Sequence, residues 1–159
     1  MSPCINTIVK DPICLKPEQT VAQAMKIFKQ ANIRSLPVLD EQGRYLGLFG
    51  LRHVLKQLLP KSVTMADGLE NLDFIEDATP GIAKRLMKLN DVAVSEVMDP
   101  EAMTLEPDTA TWEAVWVMAL HGSPIALVDK ETKKFEGLIS RQTLLADLEK
   151  HVQQMNSDK

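Results

Sequence analysis

The sequence predicts an α/β fold of the α+β kind, a strand–helix–strand–strand–helix unit built twice, and three observations predict it. The first is a pair of apolar runs, Arg34-Ser35-Leu36-Pro37-Val38-Leu39-Asp40 and Gly43-Arg44-Tyr45-Leu46-Gly47-Leu48-Phe49, around a polar Asp40–Gly43 segment. This is the signal for a hairpin of two buried strands. The second is recurrence: Pro124-Ile125-Ala126-Leu127-Val128-Asp129 and Phe135-Glu136-Gly137-Leu138-Ile139 repeat the order of apolar, acidic and glycine positions about 90 residues later. The third is a helical apolar spacing on each side of both hairpins.

In the first unit, Ile13-Cys14-Leu15 reads as a short strand stopped at Pro17. Thr20-Val21-Ala22-Gln23 is a capping-box sequence, and Val21, Ala24, Met25, Phe28 and Ala31 then follow the spacing of one buried helical face. After the hairpin, Leu51, Val54, Leu55, Leu58 and Leu59 mark a second helix ended by Pro60. Residues 60–93 match neither copy and read as a helical connector. Thr79 as cap, Pro80 at the first helical position and Ile82, Ala83, Leu86 and Met87 predict a helix to about Leu89, while Leu69, Leu72, Phe74 and Ile75 are apolar enough to pack on the body.

The second unit has a strand at Ala102-Met103-Thr104-Leu105 stopped by Pro107, then a helix from about Ala110 to His121 with Trp112, Val115, Trp116 and Ala119 on one face. Thr109 or Thr111 must serve as its N-cap. A final helix, defined by Leu144, Leu145, Leu148 and Val152, is expected to fray into a polar tail over 151–159. Pro17 pairs with Pro107, Ala24 with Ala114, Gly47 with Gly137 and Leu55 with Leu145 at one constant offset. Gly47 and Gly137 are read as strand-bend positions.

Composition excludes several function classes. A formal charge of -4 and a pI near 5.4 leave no basic face for a nucleic-acid backbone, so no nucleic-acid partner is expected. No charged start precedes an apolar core and no run of eighteen apolar residues occurs, so neither a signal peptide nor a membrane partner is indicated and the expected location is cytoplasmic. Cys4 and Cys14 have no Cys-x-x-Cys spacing and read as ordinary reduced cysteines, with no metal site. His53, His121 and His151 are isolated, and no nucleophile elbow or phosphate-binding glycine loop is present, so the chain does not read as an enzyme.

With Ser35-Leu36-Pro37-Val38-Leu39-Asp40, Gly43 and Gly47-Leu48-Phe49 in one copy, and Val97-Met98 and Thr104-Leu105-Glu106-Pro107-Asp108 in the other, the chain resembles a tandem pair of CBS domains. The resemblance covers CBS domain 1 at 5–59 and CBS domain 2 at 94–150. It implies two βαββα repeats packed through their sheets around a pseudo-two-fold axis, and a regulatory, ligand-sensing module. It also implies clefts for adenosine-containing ligands such as AMP, ADP, ATP or S-adenosylmethionine, no classical cofactor, and joining into a homodimer. The packing agrees with elementary energetics, because a unit of this size covers one sheet face and needs a partner for the other.

The resemblance carries ligand-binding roles onto two sets of residues. Where the family pattern has Ser or Thr and, three positions on, a ribose-binding Asp, the first copy has Gly50 and His53 and the second Ser140 and Thr143. A lost charge-assisted acceptor costs on the order of 1.5 to 3 kcal/mol. The favoured cleft contains Thr104, Pro124, Ile125, Ser140, Arg141 and Thr143, because Ser140 keeps a hydroxyl and Arg141 suits a phosphate. The second contains Cys14, Arg34, Leu36, Gly50, Arg52 and His53. Arg34 and Arg52 read either as phosphate holders or as solvated side chains, and His53 more as a partly buried surface histidine than as a contact. Trp112 and Trp116 read as core or dimer contact rather than as an adenine-stacking pair. Two functions compete: a sensor of an adenine nucleotide, and a ligand-free interaction module acting on a protein partner whose identity the sequence does not name.

Overall fold

The computed structural model describes residues 8–9, 12–59 and 79–158. Thr20 Oγ1 accepts from the Gln23 N–H at 3.2 Å while Gln23 Oε1 accepts from the Thr20 N–H at 3.0 Å, so α1 (Val21–Ala31) starts at the capping box. Its inner face buries Val21, Ala24 and Phe28. The hairpin follows as β1 (Ser35–Leu39) and β2 (Tyr45–Gly50), and α2 (Leu51–Leu58) leaves directly from β2. Val54 and Leu58 are buried on α2, but Leu55 and Leu59 are exposed, so its apolar stripe is narrower than its sequence.

The connector helix α3 (Thr79–Leu89) takes in Thr79, which the sequence reads as its cap, ends at Leu89 where the apolar spacing places it, and packs Ile82, Leu86 and buried Leu89 on the first core. The side chain of Thr79, residues Leu69, Leu72, Phe74 and Ile75, and Cys4 lie outside the described residues. The second unit contains β3 (Thr104–Leu105), α4 (Thr111–His121), β4 (Ile125–Val128), β5 (Phe135–Ile139) and α5 (Arg141–Ser157). β3 runs parallel to β4, with Thr104 opposite Ala126 and Leu105 opposite Leu127; β4 pairs antiparallel with β5. One parallel bridge, Leu15 to Val38, makes the same pairing in the first unit.

Asp40 and Asp129 hold the two hairpin loops in the same way. Asp40 Oδ1 accepts from the Gln42 and Arg44 N–H groups at 2.9 Å each, and Asp129 Oδ1 from Glu131 at 2.9 Å and Thr132 at 3.0 Å. The amide of Arg44, foremost, keeps the Asp40 carboxyl below its ordinary range, as that of Thr132 does for Asp129.

Several expectations are corrected. The strand at Ile13-Cys14-Leu15 shrinks to the single bridge at Leu15, because Pro12 and Pro17 bracket it and cannot donate to a ladder. Ala110 is the N-cap of α4 and makes no side-chain cap, so neither Thr109 nor Thr111 takes that place. The buried face of α4 is Ala114, Val117 and Met118, while Trp112 and Trp116 are 64% and 60% exposed and are not core. The final helix does not fray at 151 but runs to Ser157. No Pro or Gly interrupts it, and once nucleated a helix gains one bond per added residue.

Gly47 and Gly137 are required by close approach rather than by bending, since neither has a positive φ. A Cβ at Gly47 would stand 2.7 Å from the Asp99 carbonyl oxygen, and one at Gly137 2.8 Å from Ile8 Cγ2. The approaching strands are the leading segments of the repeats, exchanged. Asp99 and Leu48 bond both ways, N–H to O at 2.8 and 3.0 Å, while Val9 N–H donates to Leu138 O at 2.7 Å beside the Ile8–Ile139 bridge.

The chain accordingly divides into two compact units that interleave along the sequence. One takes Leu15–Val38 and the described part of Leu46–Pro100; the other takes the described residues up to 14, Leu39–Tyr45 and the described part of Glu101–Lys159. The first has a core of Leu15, Val21, Phe28, Leu36, Val38, Phe49, Val54 and Val94, among others. The second packs Ala114, Val117, Met118, Ile125, Leu127, Ile139 and Leu144 under α4 and α5, with Ala126, Val128 and Leu138 on the other sheet face beside Tyr45 and Phe135. Gly47→Ala should lower stability by about 1–3 kcal/mol, the usual cost of forcing atoms into a filled site, because backbone and not a flexible side chain must give way. A denaturant midpoint within error of the parent's would refute this.

No helix among the described residues is long and apolar enough to cross a membrane.

Candidate functional site

In the unit of the second repeat, Ile125 pairs with Ile139, so Pro124, entering β4 through a cis bond from Ser123, lies beside Ser140, which leaves β5. Thr104 opens β3 at the same end of the sheet. A cross-link closes the arrangement: Arg141 N–H donates to Ser123 Oγ at 3.1 Å. Thr104, Pro124, Ser140, Arg141 and Thr143 are thus brought to one sheet end, where Arg141 is exposed and the others half-buried; Ile125 is buried and faces the core.

The hydroxyl that the family pattern carries onto Ser140, and that of Thr143, which stands at the acid's place, already cap α5. Ser140 Oγ accepts from the Thr143 N–H at 3.2 Å, and Thr143 Oγ1 accepts from the Ser140 N–H at 3.0 Å and donates to the Ser140 carbonyl at 3.1 Å. The Ser140 hydroxyl donates to Thr143 Oγ1 at 3.3 Å, a long contact that its proton can leave for a better acceptor. What this end offers a ligand is therefore the positive end of a 17-residue helix, one turnable hydroxyl and one exposed guanidinium.

The same join in the first repeat is built differently. Gly50 caps α2 without a side chain, and His53 Nδ1 accepts the Gly50 N–H at 3.0 Å, the place Thr143 Oγ1 takes in α5. Both positions where the family pattern has its acid are thus third residues of a helix reaching back to its cap. Accepting at Nδ1 requires a neutral ring with its proton on Nε2. Burial depresses the His53 pKa; Asp99 pulls it up, and Arg52 and Lys56 push it further down. The ring also stacks on Phe49, centroids 6.4 Å apart.

Gly50 is not simply a lost hydroxyl. A Cβ there would collide with Ser35 Oγ and stand 2.9 Å from the Arg34 carbonyl oxygen, which itself accepts from the Leu51 N–H at 3.0 Å. Ser35 therefore fills the space a side chain at position 50 would enter. Ser35 and Ser123 are the two residues at these joins that sequence reasoning missed, and their only signal is strand register, which apolar spacing does not report. Arg34 and Arg52 are exposed, and Leu36 is buried in the core. Cys14 belongs to the other compact unit; its Sγ lies 3.7 Å from the Pro12 carbonyl oxygen, and burial pushes its thiol pKa up, as for an inert reduced cysteine.

A shallow cleft of about 340 Å3 lies at the opposite end of β3 and β4, lined by Glu106, Pro107, Asp108, Asp129, Lys130 and Glu131. Four carboxylates against one ammonium repel a phosphate. The described residues contain no cluster of three or more side chains able to hold a metal.

The family model for the CBS domain matches residues 5–60 and 94–150. Cyclic di-AMP receptor B of Bacillus subtilis is 23% identical over 133 residues, 84% of this chain and 76% of that protein. Among solved structures, the CBS-pair protein CBSX2 of Arabidopsis thaliana superposes with a TM-score of 0.72 at 16% identity over 95% of this chain and 96% of that one. CBSX2 in complex with AMP superposes at 0.69, again at 16% identity, over 94% and 98%. The CBS domain pair of protein MJ0100, in complex with 5′-methylthioadenosine and S-adenosyl-L-methionine, gives 0.62 at 18% identity over 95% and 98%.

Proposed function

The chain belongs to the CBS domain family and is a CBS-pair regulatory module, and we propose that it senses an adenine nucleotide at the sheet end where α5 begins. The observation that carries this reading is the join of Ser140, Arg141 and Thr143 to Ser123 and Thr104: a helix N-terminus, a turnable hydroxyl and a guanidinium suit a phosphate, and none needs the missing ribose carboxylate. The ligands of the relatives named above share an adenosine group, which supports the class AMP, ADP, ATP or S-adenosylmethionine. Ligand binding then biases one arrangement of the module over another. The module acts in the cytoplasm, as a homodimer, on a protein partner.

A second reading, a ligand-free interaction module, is favoured by one observation: the Ser140 and Thr143 hydroxyls are already used in capping. A thermal-shift panel of AMP, ADP, ATP, cyclic di-AMP and S-adenosylmethionine separates the two, since a ligand at 100 times its Kd adds about 2.7 kcal/mol. Calorimetric titration of the responding compound should show Ser140→Ala binding on the order of ten-fold weaker and His53→Ala unchanged. The reverse pattern would move the site to the first repeat, and no response to any adenosine compound would leave the interaction module.

A further inference from the structure

We infer that the outer side of the α2 and α3 helix pair is a docking surface for an acidic, amphipathic helix of a protein partner; this rests on the partner reading above and names its surface and chemistry. The formal charge of -4 is an average that hides a segregation. In the unit that holds the first core, α1 carries two lysines, α2 one arginine and one lysine, and α3 two lysines and one arginine, with no Asp or Glu on any of the three. The helices of the other unit are not basic: α4 has Glu113 and no Lys or Arg, and α5 has two bases against two acids.

The charge is arranged around apolar groups. On α2, Arg52, Leu55 and Lys56 stand at i, i+3 and i+4; on α3, Lys84, Met87 and Lys88 repeat the same order of base, apolar group and base. Residues so spaced are neighbours on one helical face. All six are exposed, Leu55 by 63% and Met87 by 70%. The two helices pack against each other, and their other sides, with Val54 and Leu58 on α2 and Ile82 and Leu86 on α3, face the first core. Among the described residues, none of the four cations has an acid in salt-bridge range. The fold does not require them: at the repeat offset that pairs Leu55 with Leu145, Arg52 and Lys56 correspond to Gln142 and Ala146.

Charge complementarity sets the occupant. Cations without acids attract carboxylates or phosphates, and the apolar group inside each triplet chooses between them. A phosphate backbone would leave Leu55 and Met87 against charge, and neither helix has a Phe, Tyr or Trp on which a base could stack. A lipid surface is bound by a continuous apolar face that enters the headgroup boundary, whereas each triplet here offers one apolar group between two cations. A helix with an apolar stripe flanked by Glu or Asp satisfies both demands: its carboxylates meet Arg52, Lys56, Lys84 and Lys88 while its apolar residues cover Leu55 and Met87.

A displayed library of helical peptides, selected on the full chain, tests this. The binders should be rich in Glu or Asp beside apolar residues at helical spacing, and should weaken as salt rises. Lys84→Glu with Lys88→Glu should bind the best of them on the order of ten-fold weaker, and Leu55→Ser with Met87→Ser should weaken it while keeping the salt dependence. Lys150→Glu, on α5 of the other unit, should leave it unchanged, and all these exposed substitutions should keep the parent's melting curve. Binders that are not acidic, or no binder at all, overturn the proposal; binders untouched by both double substitutions overturn this surface and leave the partner reading standing. Co-sedimentation with vesicles of equal parts phosphatidylglycerol and phosphatidylcholine, or binding of single-stranded DNA, that Lys84→Glu with Lys88→Glu abolishes would give the face to phosphates and overturn the acidic helix. Affinity gained only when Asp67, Glu70 and Asp73 are changed to Asn, Gln and Asn would give it to the chain's own acids and overturn an external partner. The nucleotide thermal-shift panel, run on the same variants, reads the sensing function separately.

Discussion

Residues 1–60 expressed alone are expected to give no cooperative unfolding transition and to self-associate. The first core is completed by side chains that this fragment lacks: Leu89 and Val97 are 8% exposed in it and Val94 is fully buried. Each such aliphatic contributes about 1.5–3 kcal/mol on burial, so the three together rival the 5–15 kcal/mol by which a domain is stable at all. The backbone is equally dependent. Val21 N–H donates to Val92 O at 2.9 Å, Val94 N–H to Gln19 O at 2.7 Å, and Asp99 covers the outer edge of β2 at Leu48. The fragment would leave that edge open, an invitation to pair with another chain. A fragment of residues 1–100 restores all of these partners and should recover a sigmoidal melt by circular dichroism. Should residues 1–60 melt cooperatively as a monomer, the exchanged segments would be ornament.

How much of this was legible in the sequence depends on the range of the interaction that decides it. The Thr20–Gln23 box, both hairpins and the end of α3 follow from groups within a few residues of one another, and the structure has them where the spacing puts them. The exchange of leading segments was not legible, because Ile8 meets Ile139 through one bridge across most of the chain and no periodicity encodes a single bridge. The tryptophans show a different limit: the helical stripe was real, but two stripes exist on α4 and bulk alone does not say which is inside. At the site, the residue types at positions 50, 53, 140 and 143 were read for what they offer a ligand. The structure shows that three of them first serve the helix starts, and that Gly50 is small because Ser35 is there.

Phe49→Ala should be the most damaging single substitution at the first helix start, costing about 3–5 kcal/mol as a large-to-small change in a packed core. Phe49 is fully buried and stacks on Phe28 with centroids 5.8 Å apart and on His53 at 6.4 Å, so its loss removes packing on both sides. The second contact gives the substitution a pH signature. In the parent the His53 pKa is lowered, chiefly by burial, so the unfolded chain binds a proton there more readily than the native one. Stability from this group is therefore complete above the unfolded pKa of about 6.5 and is lost as pH falls from there toward the native pKa, because protonation removes the lone pair that holds the Gly50 N–H. Removing the Phe49 ring lets water reach the imidazole, raises its native pKa toward the unfolded one and should flatten that part of the stability profile. Phe49→Leu, which keeps most of the volume, should cost less than half as much as the alanine change and keep more of the slope. Urea midpoints measured in steps from pH 7.5 to pH 5 for the parent, Phe49→Ala, Phe49→Leu and His53→Gln test this. A His53→Gln profile as steep below pH 6.5 as the parent's would show that another group carries the acid sensitivity.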